Sequence, residues 1–136
     1  MQSSARAIYE SWKKEPSLDA ATRAELTAIE NDPHEIEERF YRELEFGTAG
    51  LRGIIGAGTN RMNAYVVRRA TQGLCDYLAT VPGAKERGVC VAYDSRLFSE
   101  EFARQAACVL AGNGVKTYLF TTLHSVPQLS YAVRHL

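Results

Sequence analysis

Residues 45–63, Glu-Phe-Gly-Thr-Ala-Gly-Leu-Arg-Gly-Ile-Ile-Gly-Ala-Gly-Thr-Asn-Arg-Met-Asn, concentrate the side chains of this chain that could do chemistry. Five glycines (Gly47, Gly50, Gly53, Gly56, Gly58) alternate with Thr48, Thr59, Arg52 and Arg61, and no acidic residue follows Glu45. Glycine lets backbone N–H groups turn toward a ligand and approach it closely. Guanidinium groups offer planar donors matched to phosphate oxygens, and threonine hydroxyls add further donors. The segment therefore reads as a phosphate-handling loop. Its competing reading is a tight turn with solvated arginines. Gly53-x-x-Gly56-x-Gly58 is not Gly-x-Gly-x-x-Gly, and no Gly-Lys-Ser/Thr follows it, which disfavours a Rossmann or P-loop nucleotide site.

Other candidates are weaker. Asp94-Ser95-Arg96 follows a strand pattern; an Asp two residues before an Arg reads either as a local ion pair or as support for a ligand loop. Ser95 has no basic partner in sequence and is rejected as a nucleophile. His124 and Ser125 are adjacent, a spacing that does not bring base and nucleophile together, so His124 reads as a loop residue. Cys75, Cys90 and Cys108 are odd in number, scattered and set in apolar patterns, which predicts buried thiols in a reducing compartment. The three histidines lie far apart, so no metal ligand set is expected.

The elements that must position these residues follow from patterning. Ile8, Tyr9 and Trp12 predict a helix over 5–14, and a second covers 19–30. Asp32-Pro33-His34-Glu35 is a helix start with Asp32 as cap and Glu35 reaching back in a capping box; Ile36, Phe40 and Leu44 share its face. A short strand is expected near 51–55. Asn63 caps a helix over 64–79 with Val67, Ala70, Leu74 and Leu78 as its apolar stripe. Residues 80–88 read as a loop and 88–93 as a buried strand. Ser99 caps a helix ending at Gly112 and Gly114, 115–120 is a second strand, and 126–136 is helical with Pro127 in its first turn. This alternation implies a parallel (or mixed) α/β sheet with helices on both faces and ligand groups at the carboxyl ends of the strands. The expected layout is an N-terminal helical arm over 1–44 and an α/β domain over 45–136.

At 136 residues the chain buries roughly two-thirds of its unfolded surface. Sixteen basic residues balance sixteen acidic ones, so no global field favours nucleic acid or an anionic membrane, and an anion site must be local. No apolar run approaches a bilayer span, and the N-terminus lacks a secretion signal, which points to a cytoplasmic protein.

Phe46-Gly-Thr-Ala-Gly-Leu-Arg-Gly53 and the following Ile-Ile-Gly-Ala-Gly-Thr-Asn-Arg-Met-Asn63 closely resemble the N-terminal domain I of the α-D-phosphohexomutases, in the bacterial phosphoglucomutase branch. Ala92-Tyr-Asp-Ser-Arg96 and Val126-Pro127…Tyr131-Ala132 agree in order, and the resemblance covers essentially the whole chain. It implies an enzyme that moves a phosphoryl group between the 1 and 6 oxygens of a hexose phosphate, through a phosphoserine and a bisphosphorylated sugar. Mg2+ and glucose 1,6-bisphosphate as activator are implied with it. The resemblance assigns Arg52 to the phosphoserine neighbourhood. Thr48 and the adjoining backbone at Gly50 line the same pocket, Asn60 and Arg61 extend that wall, and Arg96 supports the phosphoserine loop. The family's serine loop, with its Ser-His-Asn signature, is not among these residues, nor are its metal loop and sugar loop. The chain is thus expected to be an N-terminal piece whose sheet is incomplete at the C-terminus and which does not turn over alone. Phosphopentomutase and glucose-1,6-bisphosphate synthase are the neighbouring alternatives. A stand-alone anion-binding module that self-associates through the unfinished sheet is the alternative from another class.

Overall fold

The computed structural model describes residues 3–47, 50–122 and 124–136. Two compact units divide inside a helix, Met1–Val66 and Val67–Leu136.

The first unit opens with α1 (Ser4–Lys14), α2 (Ala20–Ala28) and α3 (Pro33–Phe40). Each begins at a side-chain cap: Ser3 accepts from Arg6 N, Asp19 from Thr22 N, and Asp32 from Glu35 N. The expected reciprocal bond from Glu35 does not form, because its carboxylate accepts instead from Arg39 Nε at 3.0 Å. Tyr9, Leu26, Ile36 and Phe40 are essentially inaccessible to solvent, and Trp12 and Tyr65 pack against them. Edge-to-face contacts of Phe40 with Tyr9 and Trp12, at 5.8 and 5.5 Å between ring centres, join α3 to α1. Burying each such side chain contributes about 1.5–3 kcal/mol. The Tyr9 hydroxyl donates to Leu26 O at 2.8 Å, which satisfies that buried polar atom and ties α1 to α2.

Phe40 ends α3, so Leu44 is not on its face as expected; the chain peels away and Leu44 N donates to Thr59 O. A two-residue antiparallel hairpin, β1 (Phe46–Gly47) with β2 (Gly50–Leu51), replaces the expected strand over 51–55. Beyond it a single parallel bridge joins Ile55 to Met62.

The helix α4 (Ala64–Leu78) starts at Asn63, whose Oδ1 accepts from Val66 N at 2.9 Å. Within the second unit it buries Val67, Thr71 and Cys75, whereas Leu74 of the expected stripe is exposed. Thr71 can face inward because its hydroxyl donates to Val67 O. The expected loop over 80–88 contains one helical turn, α5 (Ala84–Arg87). Strands β3 (Val89–Val91) and β4 (Thr117–Leu119) pair in parallel, Val89 opposite Thr117. Between them runs α6 (Ser99–Gly112), and α7 (Val126–His135) follows. Cys75, Leu110 and Val115 form this unit's core, with Val89, Val91, Leu78 and Val109 against it. The chain is an α/β protein with the parallel pairing that the strand–helix–strand order requires.

Two caps differ from expectation. Ser99 is the first helical residue rather than the cap of α6; its hydroxyl accepts from Asp94 N, and Phe98 takes the cap position at φ 62°. At α7 the full reciprocal capping box is made by Ser125 and Gln128. Of the three thiols expected to be buried, only Cys75 is; Cys90 is half-buried and Cys108 exposed. Cys108 lies on the solvent side of α6, the face opposite the buried Ala103 and Leu110. Burial first, then the neighbouring Asp76 carboxylate, holds the Cys75 thiol above its usual range.

Candidate functional site: the glycine segment

The glycine segment has two physically different halves. Residues 56–63 are tied to the helices before them and to one another. A Cβ on Gly58 would lie 2.6 Å from Arg39 O, and one on Gly53 would lie 2.7 Å from Leu44 Cδ1. The bare backbone at Gly58 lets the chain touch the end of α3, and Gly53 leaves room for the Leu44 side chain. Thr59 donates to Arg42 O at 2.7 Å, and Asn60 N donates to Arg39 O at 2.9 Å. Both ends of the Asn60 amide are engaged as well, Nδ2 donating to Glu38 O and Oδ1 accepting from Arg42 Nε. Asn63 Nδ2 donates to Gly56 O and Gly58 O at 2.8 and 3.0 Å while its other end caps α4.

At the centre of this framework is Arg39. Its guanidinium holds Glu25 at 2.5 Å, Glu35 at 3.0 Å and Ala57 O at 3.2 Å. Burial opposes its charge, but the hydrogen bonds it donates to Glu25 and Glu35 outweigh that and hold its pKa above the ordinary arginine value.

Residues 50–52 are open. Gly50 has φ 105° and nothing within 4 Å of where a Cβ would sit. Arg52 is exposed and, among the described residues, makes no ion pair or hydrogen bond. It is not locked against a distant carboxylate. Arg61 is the opposite case: only 8 % exposed, with Nη1 donating to Asn60 O at 3.1 Å and no carboxylate partner among the described residues. A guanidinium taken out of water without a counter-charge is costly, unless an anion completes it. Thr48 lies outside the described residues.

The remaining expected site residue lies in the second unit. Arg96 donates to Asp94 through its main-chain N at 3.0 Å and through Nε at 2.8 Å, which is the local ion pair of the structural reading. The Arg96 side chain comes first among the groups that hold the Asp94 carboxyl below its usual range, with its backbone N–H next. Ser95 is exposed, and His124 sits in a loop, its ring nitrogens bonded to Thr122 and Gln128. Sequence reasoning missed Glu25 and Arg39. The four-residue spacing of Glu35 and Arg39 was a readable signal; the partnership with Glu25, fourteen residues before Arg39, was not.

Three helices, the glycine segment and then a strand–helix–strand unit with parallel pairing define the class: an α/β domain. Residues 43–136 match phosphoglucomutase/phosphomannomutase, alpha/beta/alpha domain I, and the chain belongs to that family of mutases. It is 40% identical over 121 residues to a "Probable phosphoribomutase" of Schizosaccharomyces pombe, covering 87% of this chain and 21% of that protein. Identity to the mouse "Phosphopentomutase" is 38% over 132 residues, 92% of this chain and 21% of that one. To the "Phosphoglucomutase" of Staphylococcus haemolyticus it is 40% over 100 residues, 74% and 18%. The chain therefore spans about a fifth of the length of the curated relatives it matches. No solved structure matches.

Proposed function

We propose that this chain supplies the phosphate-facing wall of an intramolecular phosphotransferase that interconverts sugar 1-phosphates with their 5- or 6-phosphates. Hexose phosphate is the first choice and pentose phosphate the neighbouring one. The observation that carries the reading is Arg52, an exposed guanidinium with no carboxylate on it, beside the open backbone at Gly50. Phosphoryl transfer spreads negative charge over the transferred oxygens, and catalysis is mostly positioning plus cationic stabilisation. In this reading Arg52 neutralises that charge, and Thr48 and Gly50 line its side. Arg61 faces the anion from the braced half, Asn60 keeps that half in shape, and Arg96 supports the phosphoserine loop. A cytoplasmic setting, Mg2+ and a bisphosphorylated sugar activator belong to the same proposal. Among the described residues no group of three His, Cys, Asp or Glu side chains could hold a metal. No helix among the described residues is long and apolar enough to cross a membrane.

The test is titration of the chain with inorganic phosphate and with glucose 1-phosphate, followed residue by residue by amide NMR. Shifts should cluster at 50–52 and 61. Arg52→Ala should weaken binding by about 10–100-fold, the loss of one charge-assisted contact, and leave thermal stability within about 0.5 kcal/mol. Equal binding by wild type and variant would overturn the reading. A coupled assay with glucose 1-phosphate and glucose 1,6-bisphosphate should find no turnover by the chain alone, since the reacting serine loop is not among its residues.

A second reading is favoured by Tyr131, Val133 and Leu136, apolar and exposed on or just after α7. It takes the chain as a self-associating module. Light scattering decides it: a dilution-resistant dimer supports this reading, and a monomer removes it.

A further inference from the structure

Glu25, Arg39 and Arg61 all approach Gly56. Glu25 Oε1 lies 2.9 Å, and Arg61 Cδ 3.9 Å, from the point a Cβ on Gly56 would occupy, so the two residues flank the same glycine. They are nonetheless not paired. Glu25 is held by Arg39 Nη1, the same nitrogen that donates to Ala57 O, while Nε of the same guanidinium holds Glu35. Arg61, 8 % exposed, donates to the Asn60 carbonyl and to no carboxylate among the described residues. A rigid fork that engages two carboxylates at once is what arginine supplies and lysine does not.

We propose that Arg39 is a positioning residue that keeps the Glu25 carboxylate off Arg61, so that the Arg61 guanidinium stays available to an anion. Without Arg39, Glu25 is left half-buried without that counter-charge, and Arg61 stands across Gly56 from it. The two would pair, and an anion arriving at the loop would meet a neutralised group. The anion part rests on the proposed function; the exchange of partners does not.

The experiment therefore has two readouts on the same proteins. The first is the side-chain Nε–H resonance of Arg61 in 15N-labelled chain, without ligand. It should move in Arg39→Met, return toward its wild-type position in the Arg39→Met, Glu25→Gln double variant, and stay put in Glu25→Gln alone. The second is affinity for inorganic phosphate, which should fall about tenfold in Arg39→Met and be largely regained in the double variant. A purely structural role for Arg39 predicts no rescue by Glu25→Gln. An unmoved Arg61 resonance in folded Arg39→Met overturns the proposal. Absence of phosphate binding by wild type, with the resonance exchanging as expected, overturns the proposed function and leaves this inference standing. Should Arg39→Met fail to fold, Arg39→Gln serves: it keeps a polar end but no charge for Glu25, and the same shift and rescue are expected or the proposal fails.

Discussion

Asn63 offers the sharpest check on how the glycine segment is built, because one amide performs three tasks. Its Oδ1 accepts from Val66 N at 2.9 Å as the cap of α4, and its Nδ2 donates to Gly56 O at 2.8 Å and Gly58 O at 3.0 Å. Asn63→Ala removes a cap, worth about 1 kcal/mol. It also strands two partly buried carbonyls, at about 1 kcal/mol each. The expected loss is about 3 kcal/mol, or a fall of about 10 °C in melting temperature for a chain of this size. Asn63→Asp separates the tasks. Aspartate caps helices as well as asparagine does, but it has no N–H for the glycine carbonyls and points negative charge at them. At neutral pH it should be destabilised about as much as the alanine variant, despite keeping the cap. Chemical denaturation of the three proteins measures this directly. If Asn63→Asp came within about 0.5 kcal/mol of wild type, the two loop bonds would contribute nothing, and the braced half of the segment would need another explanation.

Further outcomes follow from the same geometry. Gly58→Ala drives a Cβ to 2.6 Å from Arg39 O at φ 132°, whereas Gly50→Ala at φ 105° meets nothing within 4 Å. The first should cost about 3 kcal/mol or more through overlap and strain, the second about 1–2 from strain alone, read from melting temperatures. Asp19 is held at a pKa of about 2, first by the Thr22 hydroxyl, then by the Tyr65 hydroxyl and the Thr22 N–H. Its folded pKa lies below the unfolded value of about 3.9, so its stabilisation is present above about pH 4 and drains away as pH falls toward 2. Thr22→Val or Tyr65→Phe should flatten that acid limb in urea midpoints collected between about pH 2 and 5; an unchanged limb would refute the assignment.

What the sequence determined by itself was local and chemical. Periodicity placed α1 and α2 within a residue or two. Asp32 and Asn63 marked helix starts because a short polar side chain can reach an orphan N–H only a few residues away. The apolar runs around Val89–Val91 and Thr117–Leu119, separated by a helix, required parallel pairing. The composition of residues 45–63 carried the family, since its motif is a string of residue types.

Tertiary structure decided what each of those types is for. Gly53 and Gly58 looked like ligand-facing positions, but they pack against Leu44 and Arg39, whereas Gly50 is open. Thr71 and Cys75 took the buried line of α4 from Ala70 and Leu74, because a hydroxyl satisfied by Val67 O may turn inward at small cost. Glu35 abandoned its capping bond for Arg39, and Arg39 reached Glu25 on another helix. Such pairings depend on where helices cross in space. Sequence separation carries no information about that, so the charge of Arg61 became interpretable only once its neighbours could be seen.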